Sequence, residues 1–205
     1  FLAETVSEAN AVRLDYHRSM TNDCDWPGFV VETLSFQGMS HRVHGWIAYP
    51  EGARRLPGFL WVPPYGRESL LPNKYGTRKG LVSLSINLHG HDAFHQEKYT
   101  TSRGYFSEGS ADPHTFVFRR MIQDAMIAAR VLQAQIEVDE ERIGAMGMSQ
   151  GGGMSIWLGA HSPVVKAVCA DMPFLSAINH TLTKTVYRYP LKEVRDFMDS
   201  IPVGE

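Results

Sequence analysis

Residues 142–155 read RIGAMGMSQGGGMS. The apolar start reads as a buried strand, the glycines break it around one serine, and the following residues continue as a helix. A strand that turns directly into a helix is the repeating unit of an α/β fold, and this junction constrains the chain more than any other stretch. From residue 80 onward strands and helices alternate. "GLVSLSINLHG" (80–90) reads as a strand and "FRRMIQDAMIAARVLQAQ" (118–135) as a helix. "ERIGAMGMS" is the next strand, 150–161 a helix, "VVKAVCADMP" (164–173) a strand and "LKEVRDFMDSI" (191–201) a helix. Alternation of this kind predicts a mostly parallel sheet.

The first 80 residues read differently. Leu2, Val6, Ala9, Val12, Tyr16 and Met20 recur at spacings of three and four, which predicts one amphipathic helix over residues 1–20. "NDCDWPG" (22–28) is a turn cluster. "FVVETLSF" (29–36) and "HRVHGWIAYP" (41–50), joined by QGMS, read as an antiparallel pair of strands. "LPGFLWVPPYG" (56–66) is a third strand stopped by two prolines. Residues 91–117 lack a clear period, and a connection of that length is usually functional. The chain therefore reads as a single domain over 1–205, with an N-terminal helix and turn over 1–28 and a long active-site loop over 91–117.

Composition narrows the function classes. The chain is 43% hydrophobic and 20% charged, with a net charge of −2. That balance offers no basic footprint for nucleic acid or an anionic membrane surface. No apolar run approaches the roughly 20 residues of a bilayer span. No signal-peptide pattern opens the sequence, so a cytoplasmic location is expected. Two cysteines, Cys24 and Cys169, do not make a disulfide framework. Cys169 lies in an apolar run and reads as a small core residue.

Gly147-Met148-Ser149-Gln150-Gly151 is a G-x-S-x-G nucleophile elbow. The serine sits on a sharp turn, and side chains two residues to either side would collide with neighbouring backbone. The turn also places Ser149 at a helix N-terminus, where the N–H of Gln150 is free to bind the oxyanion of an acyl-transfer intermediate. The second donor usually comes from the loop after the third strand. Here that loop is WVPPYG. Pro63 and Pro64 have no N–H, which leaves Val62 or Tyr65.

These residues resemble the acetyl xylan esterase / cephalosporin-C deacetylase family of α/β-hydrolases (carbohydrate esterase family 7). The resemblance runs from about residue 29 to about 200 and is strongest in VDEERIGAMGMSQGGG and VKAVCADMPFL. A weaker part is GWIAYPEG…LPGFLWVPPYG, and FRRMIQDAMIAARVL resembles the family's helix before the elbow. The resemblance implies an α/β-hydrolase fold with a mostly parallel central sheet and helices on both faces. It puts Val62 on the position whose N–H joins the oxyanion hole and Tyr65 on the second tyrosine of a Y-H-G-Y motif. It implies hydrolysis of short acetyl esters of carbohydrates or related small molecules, without a cofactor, in a homo-oligomer. Where the family has Arg-Gly-Gln after the fourth strand, this chain has His89-Gly90-His91.

HGHDAFH (89–95) resembles a dinuclear metal motif, but Asp92 follows His91 directly and His95 comes three later, so the spacing fails. The better reading is a loop lining the cleft at the strand's carboxyl end, with His89 or His91 in contact with substrate and no metal. The triad remains. In this fold the acid and the base follow the serine in chain order. After Ser149 the histidines are His161 and His180. His161 ends the elbow helix and His180 follows the sixth strand, one strand pair too early. Asp171 with His180 would make a variant triad. The favoured expectation is a triad His and Asp beyond residue 205, with the last strands of the sheet, which makes these 205 residues alone inactive. The alternatives are a dienelactone-type hydrolase or peptidase on the same fold, and a catalytically silent binding protein.

Overall fold

The computed structural model describes residues 1–64, 77–88, 107–174, 176–177, 180, 183 and 191–200. Helix α1 spans Leu2–Ala11. Strands β1 (Tyr16–Met20), β2 (Phe29–Gln37), β3 (Arg42–Pro50), β4 (Leu56–Val62) and β5 (Val82–Asn87) follow. Then come α2 (Val117–Gln133), β6 (Val138–Met148), α3 (Gln150–His161), β7 (Ala167–Asp171) and α4 (Leu191–Ser200). The strands form one sheet in the order β1-β2-β3-β5-β4-β6-β7. β1, β2, β3 and β5 pair antiparallel, while β5, β4, β6 and β7 run parallel. The parallel half expected from the alternating pattern is present, and β4 sits inside it because β5 crosses back to pair with β3.

One expected element divides in two. Residues 1–20 do not form a single helix: α1 ends at Ala11, and Tyr16–Met20 pair with β2 in the register Tyr16↔Phe36 to Met20↔Glu32. Tertiary partners decide this. Arg130 of α2 donates to the carbonyl oxygens of Ala9 (2.9 Å) and Val12 (3.0 Å), satisfying groups left open where α1 stops. Arg119 and Gln123, on the same helix, hold Thr5 and Glu8. Beyond the break, Arg18 binds Glu32, Glu137, Tyr49 and Gln135 at once. A helix through residue 18 would forfeit this cluster, which ties β1, β2 and β3 to the approach of β6.

The main core lies on one face of the sheet. Leu60, Leu84, Ile86, Ile143 and Ala145 meet Met121, Ala125, Ala128, Ala129 and Leu132 of α2 and Met154 and Leu158 of α3. α2 is buried nearly all round because the sheet, α1 and α3 enclose it. The opposite face of the antiparallel half carries a smaller cluster of Val31, Trp46 and Ala48, with Cys24 and Trp26 against it. Alternate strand residues point to opposite faces, so Trp46 and Ile47 serve different layers. Cys169 does not join the core: it is exposed on β7, an edge strand of the described sheet.

A buried carboxylate anchors the β2–β3 hairpin to α2. Asp124 is fully buried, and its Oδ1 accepts the Met39 N–H at 2.7 Å. Gly38 makes the approach feasible, since a Cβ there would press on Asp124. Burial pushes the Asp124 carboxyl up to about 6, against the pull of the Met39 N–H and of Arg120. Its Oδ2 has no hydrogen-bond partner among the described residues. His41 in the same hairpin is held below the ordinary histidine value by burial and by Arg120 and His44.

Candidate active site

β6 delivers the elbow. Its register beside β4 runs from Gly58↔Ile143 to Val62↔Gly147, and beside β7 it ends at Met148↔Asp171. α3 begins at Gln150, directly after the strand. Ser149 takes the turn itself, with φ 53° and ψ −115°. A left-handed backbone at a non-glycine residue costs on the order of 1–3 kcal/mol and persists only where its surroundings enforce it. Here they do. The Ser149 N–H donates to the carbonyl of Asp171 at 2.9 Å, and its carbonyl accepts from Gly153 at 3.0 Å and Phe174 at 2.8 Å. Its hydroxyl makes no capping bond to the helix; the bonds that hold the turn are those of the backbone.

The glycines have the steric role that the motif predicts. A Cβ on Gly151 would overlap the Val62 carbonyl and lie 2.7 Å from that of Pro63. One on Gly147 would overlap the Gly151 backbone and come within 2.8 Å of the Val62 oxygen. Sequence reasoning missed Gly152, where a Cβ would lie 2.8 Å from the Asp171 oxygen and 3.2 Å from the Pro173 Cα. The signal was the run Gly151-Gly152-Gly153, which carries more glycine than the elbow motif requires.

Val62 and Gln150 are brought to the serine from two sides. Val62 ends β4, fully buried, beside Gly147. Gln150 is the first residue of α3, and the first N–H groups of a helix have no intrahelical acceptor. Its side chain is buried with Nε2 3.8 Å from the Met121 sulfur, which fixes the residue against α2. Tyr65, His89 and His91 lie outside the described residues, as does the HGHDAFH stretch. Among the described residues no cluster of His, Cys, Asp and Glu could hold a metal.

Among the described residues, no hydrogen bond joins Ser149 to either histidine that follows it. His161 closes α3, roughly 16 Å along the axis from Gln150 at 1.5 Å per residue, and stacks on Trp157 with ring centroids 5.0 Å apart. Asp171 is exposed at the end of β7 and reaches Ser149 through its backbone carbonyl. His180 is exposed, and its described hydrogen bond is local, from the Thr183 hydroxyl to its carbonyl.

This architecture is shared with solved esterases. The chain superimposes on an acetyl xylan esterase from Paenibacillus sp. R4 with a TM-score of 0.84 at 20% identity, covering 97% of this chain and 66% of that one. The acetyl xylan esterase 1 of Thermoanaerobacterium sp. gives a TM-score of 0.81 at 23% identity, covering 98% and 66%. In sequence the chain is 24% identical over 161 residues to the acetyl esterase Axe7A of Xylanibacter ruminicola, covering 73% of this chain and 37% of that protein. The chain thus spans under two thirds of the length of these relatives. The solved structures establish the α/β-hydrolase fold. A family model described as acetyl xylan esterase (AXE1) matches residues 1–202, and with the elbow of that fold in place the chain belongs to the acetyl xylan esterase family.

Proposed function

We propose that the protein is a serine esterase that removes acetyl groups from carbohydrates or related small esters through an acyl-enzyme. The observation that carries this reading is Ser149 in its strained turn, with its hydroxyl not spent on capping the helix and a helix N-terminus directly behind it. Ser149 Oγ attacks the ester carbonyl carbon while a histidine takes its proton. The N–H of Gln150 and that of Val62 or Tyr65 hold the oxyanion. The alcohol leaves with the proton returned by the histidine, and water then cleaves the acyl-serine bond by the same relay. The histidine and its orienting acid are assigned to sequence beyond residue 205, in keeping with the chain order of the fold and the greater length of the relatives. The 205 residues alone are accordingly expected to be silent. Family membership supports acetyl esters as substrates, and a homo-oligomer is proposed on the same ground.

The test is to treat the intact protein with a fluorophosphonate, map the adduct by mass spectrometry, and assay p-nitrophenyl acetate and acetylated xylo-oligosaccharides. Label on Ser149 and loss of at least about 10³-fold in kcat/KM for Ser149→Ala are expected, because triad members act as a unit. An adduct on another serine with Ser149 unlabelled would overturn the reading.

A further inference from the structure

Ser149 is held from outside its own elbow. The ladder between β6 and β7 ends at Met148↔Asp171, so the sheet stops one residue short of the serine. Helix α3 contributes one bond, from Gly153 N–H to the Ser149 carbonyl at 3.0 Å. The two other backbone bonds of Ser149 both go to one turn: its N–H to the Asp171 carbonyl (2.9 Å) and its carbonyl from the Phe174 N–H (2.8 Å). For residues 171 and 174 to reach back to the same residue, the chain must reverse sharply between them. It does so through Met172, whose φ is +42°, a conformation that few non-glycine residues adopt. Gly152 keeps the gap between this turn and α3 closed, because any side chain there would meet the Asp171 oxygen and Pro173. The Met172 side chain is 69% exposed and contributes little to packing. Its backbone conformation, rather than its side chain, is what the site uses.

We propose that the turn Asp171–Phe174 is a clamp that sets the position of the nucleophile, with Met172 as its positioning residue. The proposal rests on Ser149 being the nucleophile. Two residues at positive φ, Ser149 and Met172, are linked through a pair of hydrogen bonds that Asp171 and Phe174, on either side of Met172, make with Ser149. Releasing the turn frees the Ser149 backbone to relax, which moves Oγ relative to the Gln150 N–H without touching any group that binds substrate.

The experiment compares Met172→Val and Met172→Gly in the intact protein, with Ser149→Ala as control. A β-branched residue is a genuine outlier at positive φ, whereas glycine adopts it freely, and both replacements sit on the same exposed position. Met172→Val should lower kcat roughly 10- to 100-fold, the scale of an ångström-sized misplacement, with KM little changed. Met172→Gly should keep kcat within a few-fold of wild type. Hydrogen–deuterium exchange supplies a readout independent of turnover: in Met172→Val the amides of Ser149 and Phe174 should lose protection together while β2 and β3 stay as protected as before. Unchanged exchange at Ser149 when Phe174 is released would overturn the clamp. So would wild-type kcat for Met172→Val alongside an inactive Ser149→Ala. Full activity in Ser149→Ala would instead remove the nucleophile reading, and the coupling of the two amides would still decide whether the clamp exists.

Discussion

Replacing Asp124 by asparagine is expected to stabilise the protein, relative to wild type, more at neutral pH than in acid. The carboxyl is fully buried, its Oδ2 is unpartnered among the described residues, and its pKa is pushed up to about 6 from an ordinary 3.8. Each pH unit of that gap corresponds to about 1.4 kcal/mol, so ionised Asp124 costs the fold on the order of 3 kcal/mol. Between the unfolded value and the folded one the native state binds the extra proton. Stability attributable to this group therefore falls as pH rises through that window and is level above it. Asparagine keeps an acceptor for the Met39 N–H and cannot ionise. The absolute effect of the added amide NH2 beside Arg120 is a constant offset, so the informative quantity is the change in the stability difference with pH. Urea unfolding of the two proteins at pH 4 and pH 7.5 should show the Asp124→Asn variant gaining on wild type by about 2–3 kcal/mol across the range. The other groups near this hairpin, Arg120, His41, His44 and Glu108, are common to both proteins. A stability difference independent of pH would refute the reasoning.

Two other substitutions test the frame of the site. Gly151→Ala puts a methyl group into the Val62 carbonyl; overpacking of this kind costs typically about 1–3 kcal/mol, and displacement of the elbow should lower kcat/KM about 100-fold. Wild-type melting together with wild-type kinetics would show that the close approach is not required. Arg18→Met strands two carboxylates, Glu32 and Glu137, whose side chains are only 13% and 12% exposed, and breaking a buried pair this way costs about 3–5 kcal/mol. Burial works against the charge of Glu137, but the Arg18 hydrogen bond and charge hold its carboxyl below the ordinary glutamate range. That stabilisation is present above the ordinary value and is lost as pH falls through the folded one, so denaturation curves of variant and wild type should converge in acid.

What the sequence by itself determined was local. The elbow was legible because its motif spans five residues: Gly147 must lack a Cβ to clear the Gly151 backbone, and Ser149 must follow a strand and precede a helix, whereas the need for glycine at 151 comes from the Val62 and Pro63 carbonyls of distant β4. The alternation after residue 80 was legible for the same reason, since periods of two and of 3.6 are written residue by residue. Only the tertiary structure decided the features that depend on a distant partner. Tyr16–Met20 carries a helical spacing of apolar residues, yet it is a strand, because the free edge of β2 and the carboxylates of Glu32 and Glu137 bind it more favourably than a continued helix would. Cys169 reads as core from its apolar neighbours and is exposed, because α3 packs against β7 on the Val168 side and successive strand residues point to opposite faces. Asp171 reads as a possible acid, but the group it presents to Ser149 is its carbonyl, brought there by the pairing of β7 with β6 and by a backbone reversal at Met172 that no residue type in Asp-Met-Pro-Phe announces. Side-chain chemistry is encoded at each position, whereas a backbone hydrogen bond between two strands exists only once the sheet has set their register.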